Sequence, residues 1–116
     1  MRTLRISLLA SVLLLVLATP ALATYPKTLS LAVKKAYAPQ KVKMNGPCKK
    51  TIGNQLYALV PVTYVKSGKA STVAFQFINT AGWFAMWKDG KVLPAVAKNQ
   101  RAKVRTTVNT LRARCA

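Results

Sequence analysis

Between residues 55 and 93 the apolar positions alternate. Over Gln55–Val65, Leu56, Ala58, Val60, Val62 and Tyr64 fall on one side of an extended chain, and Tyr57, Leu59, Thr63 and Val65 on the other. A period of two predicts a strand. Pro61 lacks an N–H, which favours an edge position or a bulge. Ser67-Gly68 then turns the chain, and Ser71–Asn79 predicts a second strand with Val73, Phe75 and Phe77 on one face. Thr80-Ala81-Gly82 turns it again into a third strand, Trp83–Trp87, where strict alternation puts Trp83 and Trp87 on one face and Phe84 and Met86 on the other. Asp89-Gly90 is the sharpest hairpin signal, because both residues tolerate the positive φ of a two-residue turn. Lys91–Leu93 returns as a short fourth strand. These segments predict an antiparallel meander.

The flanks carry a different period. In Thr28–Tyr37, Leu29, Val33 and Ala36 are spaced i, i+4, i+7, which predicts a short helix capped by Thr28 and stopped by Pro39. Leu29, Leu31 and Val33 also alternate as a strand would. Gln40–Thr51 reads as irregular, with a short edge strand at Lys41–Met44 and a turn at Asn45-Gly46-Pro47. Ala95–Cys115 predicts a long helix, because Val96, Ala97, Val104, Val108, Leu111 and Cys115 share about one third of its circumference. Thr106, Thr107, Val108 and Thr110 favour extended structure, so a final strand over 104–115 competes with that helix. The expected fold class is α+β: a short N-terminal helix, an antiparallel meander of about four strands, a C-terminal amphipathic helix and one disulfide.

The N-terminus changes the setting. Arg2 and Arg5 precede a stretch, Ile6–Ala18, that is apolar apart from Ser7 and Ser11. Thr19-Pro20 breaks it, and Ala21-Leu22-Ala23 offers small residues for a signal peptidase. The stretch is short of the roughly 20 residues of a membrane span. Residues 1–23 are therefore expected to be a cleaved signal peptide and 24–116 one small secreted or periplasmic domain. An exported chain with two cysteines, Cys48 and Cys115, most simply pairs them. Closing a loop of about 70 residues stabilises the fold by about 4 kcal/mol in the chain-entropy description.

Charge narrows function further. The chain has 19 lysines and arginines against one acidic residue, Asp89, and no histidine. Without histidine or a second carboxylate, a Ser-His-Asp arrangement is impossible and general acid–base catalysis has few groups to draw on. Zinc, calcium and magnesium lack their preferred ligands. No enzyme activity, metal or cofactor is expected, and Asp89 is assigned a turn role.

The cations concentrate at three places. Lys34, Lys35, Lys41 and Lys43 flank the end of the first helix. Lys66 and Lys69 bracket one turn and Lys88 and Lys91 another; alternate turns of a meander share a sheet end, so these four can converge. Lys98, Arg101, Arg105 and Arg112 form a stripe on the last helix, with Lys103 and Arg114 nearby. Arginine forks hold phosphate or sulfate oxygens in pairs, and a helix face without acids gains nothing from i, i+4 pairing. Lysines at strand ends also guard exposed edges, which is the competing explanation for the turn cluster. Trp83, Phe84, Met86 and Trp87 are either core or an aromatic surface for bases, sugars or a lipid interface.

The expected function is non-enzymatic binding of an anionic polymer or cell-envelope surface: lipopolysaccharide, teichoic acid, nucleic acid or a sulfated glycan. A membrane-active cationic protein of the antimicrobial type and an interaction module (an inhibitor or envelope factor) with an acidic partner are the alternatives. The last helix lacks Trp and Phe, which argues against deep insertion.

Overall fold

In the computed structural model, residues 24–116 are described; the expected signal peptide lies outside them. The alternating run from 55 onward forms strands β3 (Gln55–Tyr64), β4 (Ala70–Ile78), β5 (Gly82–Lys88) and β6 (Lys91–Val92), preceded by α1 (Leu29–Tyr37), β1 (Val42–Met44) and β2 (Cys48–Ile52) and followed by α2 (Arg101–Cys115). All six strands form one antiparallel sheet. β3 to β6 are the expected meander. Both β1 and β2 pair with the outer side of β3, one after the other along its length.

That arrangement explains Pro61 inside a central strand. It lies between the stretches paired with β2 and with β1, and its carbonyl accepts the Asn45 N–H at 2.8 Å. The nitrogen of an extended residue faces the same way as its carbonyl, so the missing N–H points into the gap between β1 and β2.

The two sides of β3 explain the layers. Ala58, Val60 and Val62 join Val73, Phe75 and Trp83 in a core closed by Leu29, Ala32, Val33 and Tyr37 of α1. Tyr57 joins Ala74, Met86 and Trp87 in a second core closed by Val108 and Leu111 of α2. The sheet is thus covered by one helix on each face. Burying a side chain such as Phe75, 1 % exposed, or Leu111, 0 % exposed, contributes about 1.5–3 kcal/mol.

Local chemistry fixes the ends. Thr28 Oγ1 accepts the Leu31 N–H at 3.3 Å and starts α1. Asp89 and Gly90 adopt φ of +49° and +88° in the β5–β6 turn. The Cys48–Cys115 disulfide, with Cα atoms 6.0 Å apart, joins the start of β2 to the end of α2. Arg114 Nη1 donates to Thr51 O beside it at 3.2 Å.

Three expectations are corrected. Gln40–Thr51 is not irregular: Cys48–Ile52 is a strand that turns through Gly53-Asn54 into β3. Trp83 and Trp87 lie on opposite faces, because the register between β4 and β5 shifts between Ala74 and Phe75 and leaves Met86 as the extra residue of a bulge. The long helix begins at Arg101 rather than Ala95. Val96, 5 % exposed, is anchored in the core, and Lys98–Gln100 forms a 3-10 turn before α2. Gln100 at the N-cap makes no side-chain cap. Within α2, Thr106 and Thr110 each satisfy their hydroxyl by donating to the carbonyl four residues back, at 3.2 Å.

Candidate functional site

The strand register decides where the cations meet. The β3–β4 turn and the β5–β6 turn lie at the same end of the sheet, so Lys66 and Lys69 share that end with Lys88 and Lys91. Lys41 joins them, since its carbonyl accepts the Val65 N–H at 3.0 Å. The β3–β4 turn is held by Tyr64 N–H donating to Lys69 O at 2.9 Å and Gly68 N–H donating to Tyr64 O at 2.8 Å. Around it is a concavity of about 630 Å³ lined by Lys41, Lys66, Lys69, Gln40, Ser67 and Val65, among others. Lys66, Lys69 and Lys91 are exposed. Lys88 is half-buried, with Nζ 4.9 Å from the centre of the Tyr37 ring.

Next to that ring lies a chain of hydrogen-bonded polar groups. Ser71 is 4 % exposed, and its Oγ donates to Asp89 Oδ2 at 2.5 Å. The Thr72 N–H donates to the other carboxylate oxygen at 2.8 Å. A serine hydroxyl has one proton, so the 2.7 Å contact between Tyr37 Oη and Ser71 Oγ is a bond donated by Tyr37. Burial pushes the Tyr37 hydroxyl up to about 12; its bond to Ser71 pulls the other way, and the Asp89 charge adds to the rise. A phenol held neutral is not a base, and no imidazole is present to activate Ser71. The network locks the β5–β6 turn to β4 and α1. Asp89 thus has a second role beyond turn geometry.

On the opposite face, α2 carries the arginines. At 100° per residue, Arg101, Arg105 and Arg112 lie within about 40° of one another, and they rise by about 6 Å and then about 10 Å. They flank the buried stripe of Val104, Val108 and Leu111. Arg105 and Arg112 are exposed; Arg101 is half-buried and donates Nε to Val96 O at 3.4 Å. The Arg112 guanidinium carbon is 5.8 Å from the Trp87 ring centre. Lys98 stands in the 3-10 turn ahead of the helix, so it does not extend this stripe. Lys103 and Arg114 point to other sides of α2.

The aromatic cluster is core: Trp83 is 6 % and Trp87 7 % exposed. Phe84 is half-buried and packs on Tyr25, with ring centres 5.2 Å apart. Among the described residues, no group of three or more His, Cys, Asp or Glu is placed to hold a metal, and no helix is long and apolar enough to cross a membrane. Comparison of the chain with protein-family models, curated proteins and solved structures finds no match.

Proposed function

We propose that this is an exported, non-enzymatic basic protein that binds an anionic polymer or an anionic cell-envelope surface. One observation carries the reading. Seventeen lysines and arginines lie in 24–116 against a single acidic side chain, and both oxygens of that carboxylate are occupied by Ser71 and Thr72. The cations therefore create a strong positive field that no second acidic side chain offsets, and such a field collects polyanions. Export is supported by the Cys48–Cys115 bond, which persists in an oxidising compartment, and by the signal-like composition of residues 1–23.

The arginines of α2 are the best fork-type ligands for phosphate or sulfate, and the turn lysines supply point charges. Binding by such groups releases counterions, so affinity falls linearly in log K against log salt. The test is a titration of the disulfide-bonded protein with lipopolysaccharide, teichoic acid, duplex DNA and a sulfated glycan over a salt series. Steep salt dependence is expected for at least one of them. Binding that ignores salt, or no binding to any, refutes the reading and favours a partner recognised by shape.

A further inference from the structure

The sheet end with the turn lysines is also the mouth of an apolar cleft. The concavity around Lys41, Lys66 and Lys69 continues into a second one, of about 560 Å³, between α1 and β1. Pro39, Gln40, Lys41 and Val65 line both, so the two adjoin and together make a groove. Along the second part the lining is Val33, Ala38, Val42 and Met44, with Lys34 at the rim. Val65 is common to both parts and is 64 % exposed, so its apolar side chain is accessible to a ligand.

We propose that this groove binds a single-chain anionic amphiphile, its hydrocarbon on the floor of Val42, Met44 and Val65 and its phosphate or sulfate head among Lys41, Lys66 and Lys69. It rests on the anion-binding reading above and names a ligand class and a place for it. No carboxylate lines either half of the groove. Ser67 Oγ accepts the Lys69 N–H at 3.2 Å, which leaves its hydroxyl proton for an oxyanion. The mouth is preformed, because backbone bonds tie Val65 to Lys41 and Tyr64 to Lys69. An extended polyanion has no use for an apolar floor; an alkyl chain does. A pocket for a small ligand commonly has this character, an apolar lining with a few polar groups that fix orientation.

The experiment is calorimetric titration of the disulfide-bonded protein with hexyl, octyl and decyl phosphate, each below its critical micelle concentration. Inorganic phosphate serves as the head-only probe and decyl maltoside as the chain-only probe. One site is expected, with affinity rising by about fourfold for each methylene that leaves water, and both partial probes binding far more weakly. K41Q, K66Q and K69Q together should weaken all three alkyl phosphates and preserve the increment per methylene. V65N should shrink the increment. All four positions are exposed, and an unchanged melting temperature shows that the fold is intact. K50Q, at an exposed position that lines neither half of the groove, should leave alkyl phosphate binding unaltered. Vesicles containing phosphatidylglycerol test the single-chain assignment: bound decyl phosphate should stay on the protein, and its replacement by this two-chain lipid overturns the proposal. Affinity independent of chain length, or association only with micelles, overturns the proposal. If alkyl phosphates fail while a sulfated glycan still binds, the groove is refuted and the anion-binding reading stands; if neither binds, both fall.

Discussion

Replacing Ser71 by alanine tests whether the buried polar chain holds the β5–β6 turn to β4 and to the first helix. Ser71 is 4 % and Tyr37 3 % exposed, so neither hydroxyl can turn to bulk water. S71A removes the donor to Asp89 Oδ2 and the acceptor of the Tyr37 proton together. A hydrogen bond to a charged group is worth about 1.5–3 kcal/mol, and an orphaned buried hydroxyl costs about 1–3 kcal/mol. Asp89 is itself exposed and can recover water on Oδ2, which offsets part of the first figure. A loss of about 2–4 kcal/mol is therefore expected for S71A. Y37F removes one neutral bond and leaves Ser71 on Asp89, so about 0.5–1.5 kcal/mol is expected. In the double variant no phenol is left unpaired, and its cost should fall below the sum by about 1 kcal/mol. The assay is urea unfolding with the disulfide intact, read from midpoints at unchanged slope. If S71A costs no more than Y37F, or if the two costs simply add, the network does not do what its geometry implies.

Alkaline unfolding should report Tyr37, together with Tyr57, whose hydroxyl is also pushed up by burial. Below about pH 10 the Tyr37 phenol is neutral in both states; between about 10 and 12 the unfolded chain loses its proton first, so stability falls as pH rises through that window. Y37F should lack that component when urea midpoints are compared across it. Replacing Cys48 and Cys115 by serine frees a loop with a sequence separation of 67 and should cost about 4 kcal/mol, seen as a lower urea midpoint. G82A should destabilise by at least about 2 kcal/mol, since Gly82 has φ of +120° and an added Cβ would lie 2.5 Å from Tyr25 O and 2.7 Å from Pro26 O. Proteolysis after Lys27 should quicken in the same variant. R101Q, R105Q and R112Q together should flatten the log K against log salt plot, at about 0.9 per duplex phosphate released. An equal loss per charge in the variant that neutralises Lys66, Lys69, Lys88 and Lys91 means that no helix site exists.

Most of the fold was legible where burial imposed a period. β3 displays apolar residues on both sides because a helix covers each face, and its two sets of side chains were separable from the sequence. β2 was not legible, because an outer strand need not alternate. Lys49 and Lys50 are both exposed on opposite faces of it, the composition of a guarded edge. A signal was nonetheless present. Gly53-Asn54 sits between Ile52 and Gln55, and Gly53 takes φ of +65° in a two-residue hairpin. The facing of Trp87 was not legible at all. Nothing in Ala85-Met86-Trp87 marks a bulge, and one inserted residue reverses every side chain after it. The start of α2 was misplaced because a buried Val96 suits a core-anchored turn as well as a helical stripe.

The candidate site shows the same division between amount and place. The charge was evident from composition, but the hydrogen bonds that engage the single carboxylate were not, because they depend on contacts distant in sequence. Ser71 and Asp89 are 18 residues apart and Tyr37 and Ser71 are 34 apart. With the carboxylate occupied there, some cations settle on aromatic rings: Lys88 on Tyr37, Arg112 on Trp87 and Lys49 on Trp83, the last at 6.0 Å. Each contact contributes about 0.5–1 kcal/mol at an exposed site, and each orients a side chain that an acid-rich protein would have paired. The ring contacts divide the cations into two groups. Lys88 and Arg112 are steered by the fold, whereas Lys41, Lys66, Lys69 and Arg105 project from exposed positions. Those four belong to opposite faces of the sheet, the lysines beside α1 and the arginine on α2. An anion held at the lysine mouth leaves the arginine stripe exposed to a second one. Under the proposed anion-binding function, negative charge would be engaged from two sides, and a chain with that property can bridge anionic polymers as well as coat them.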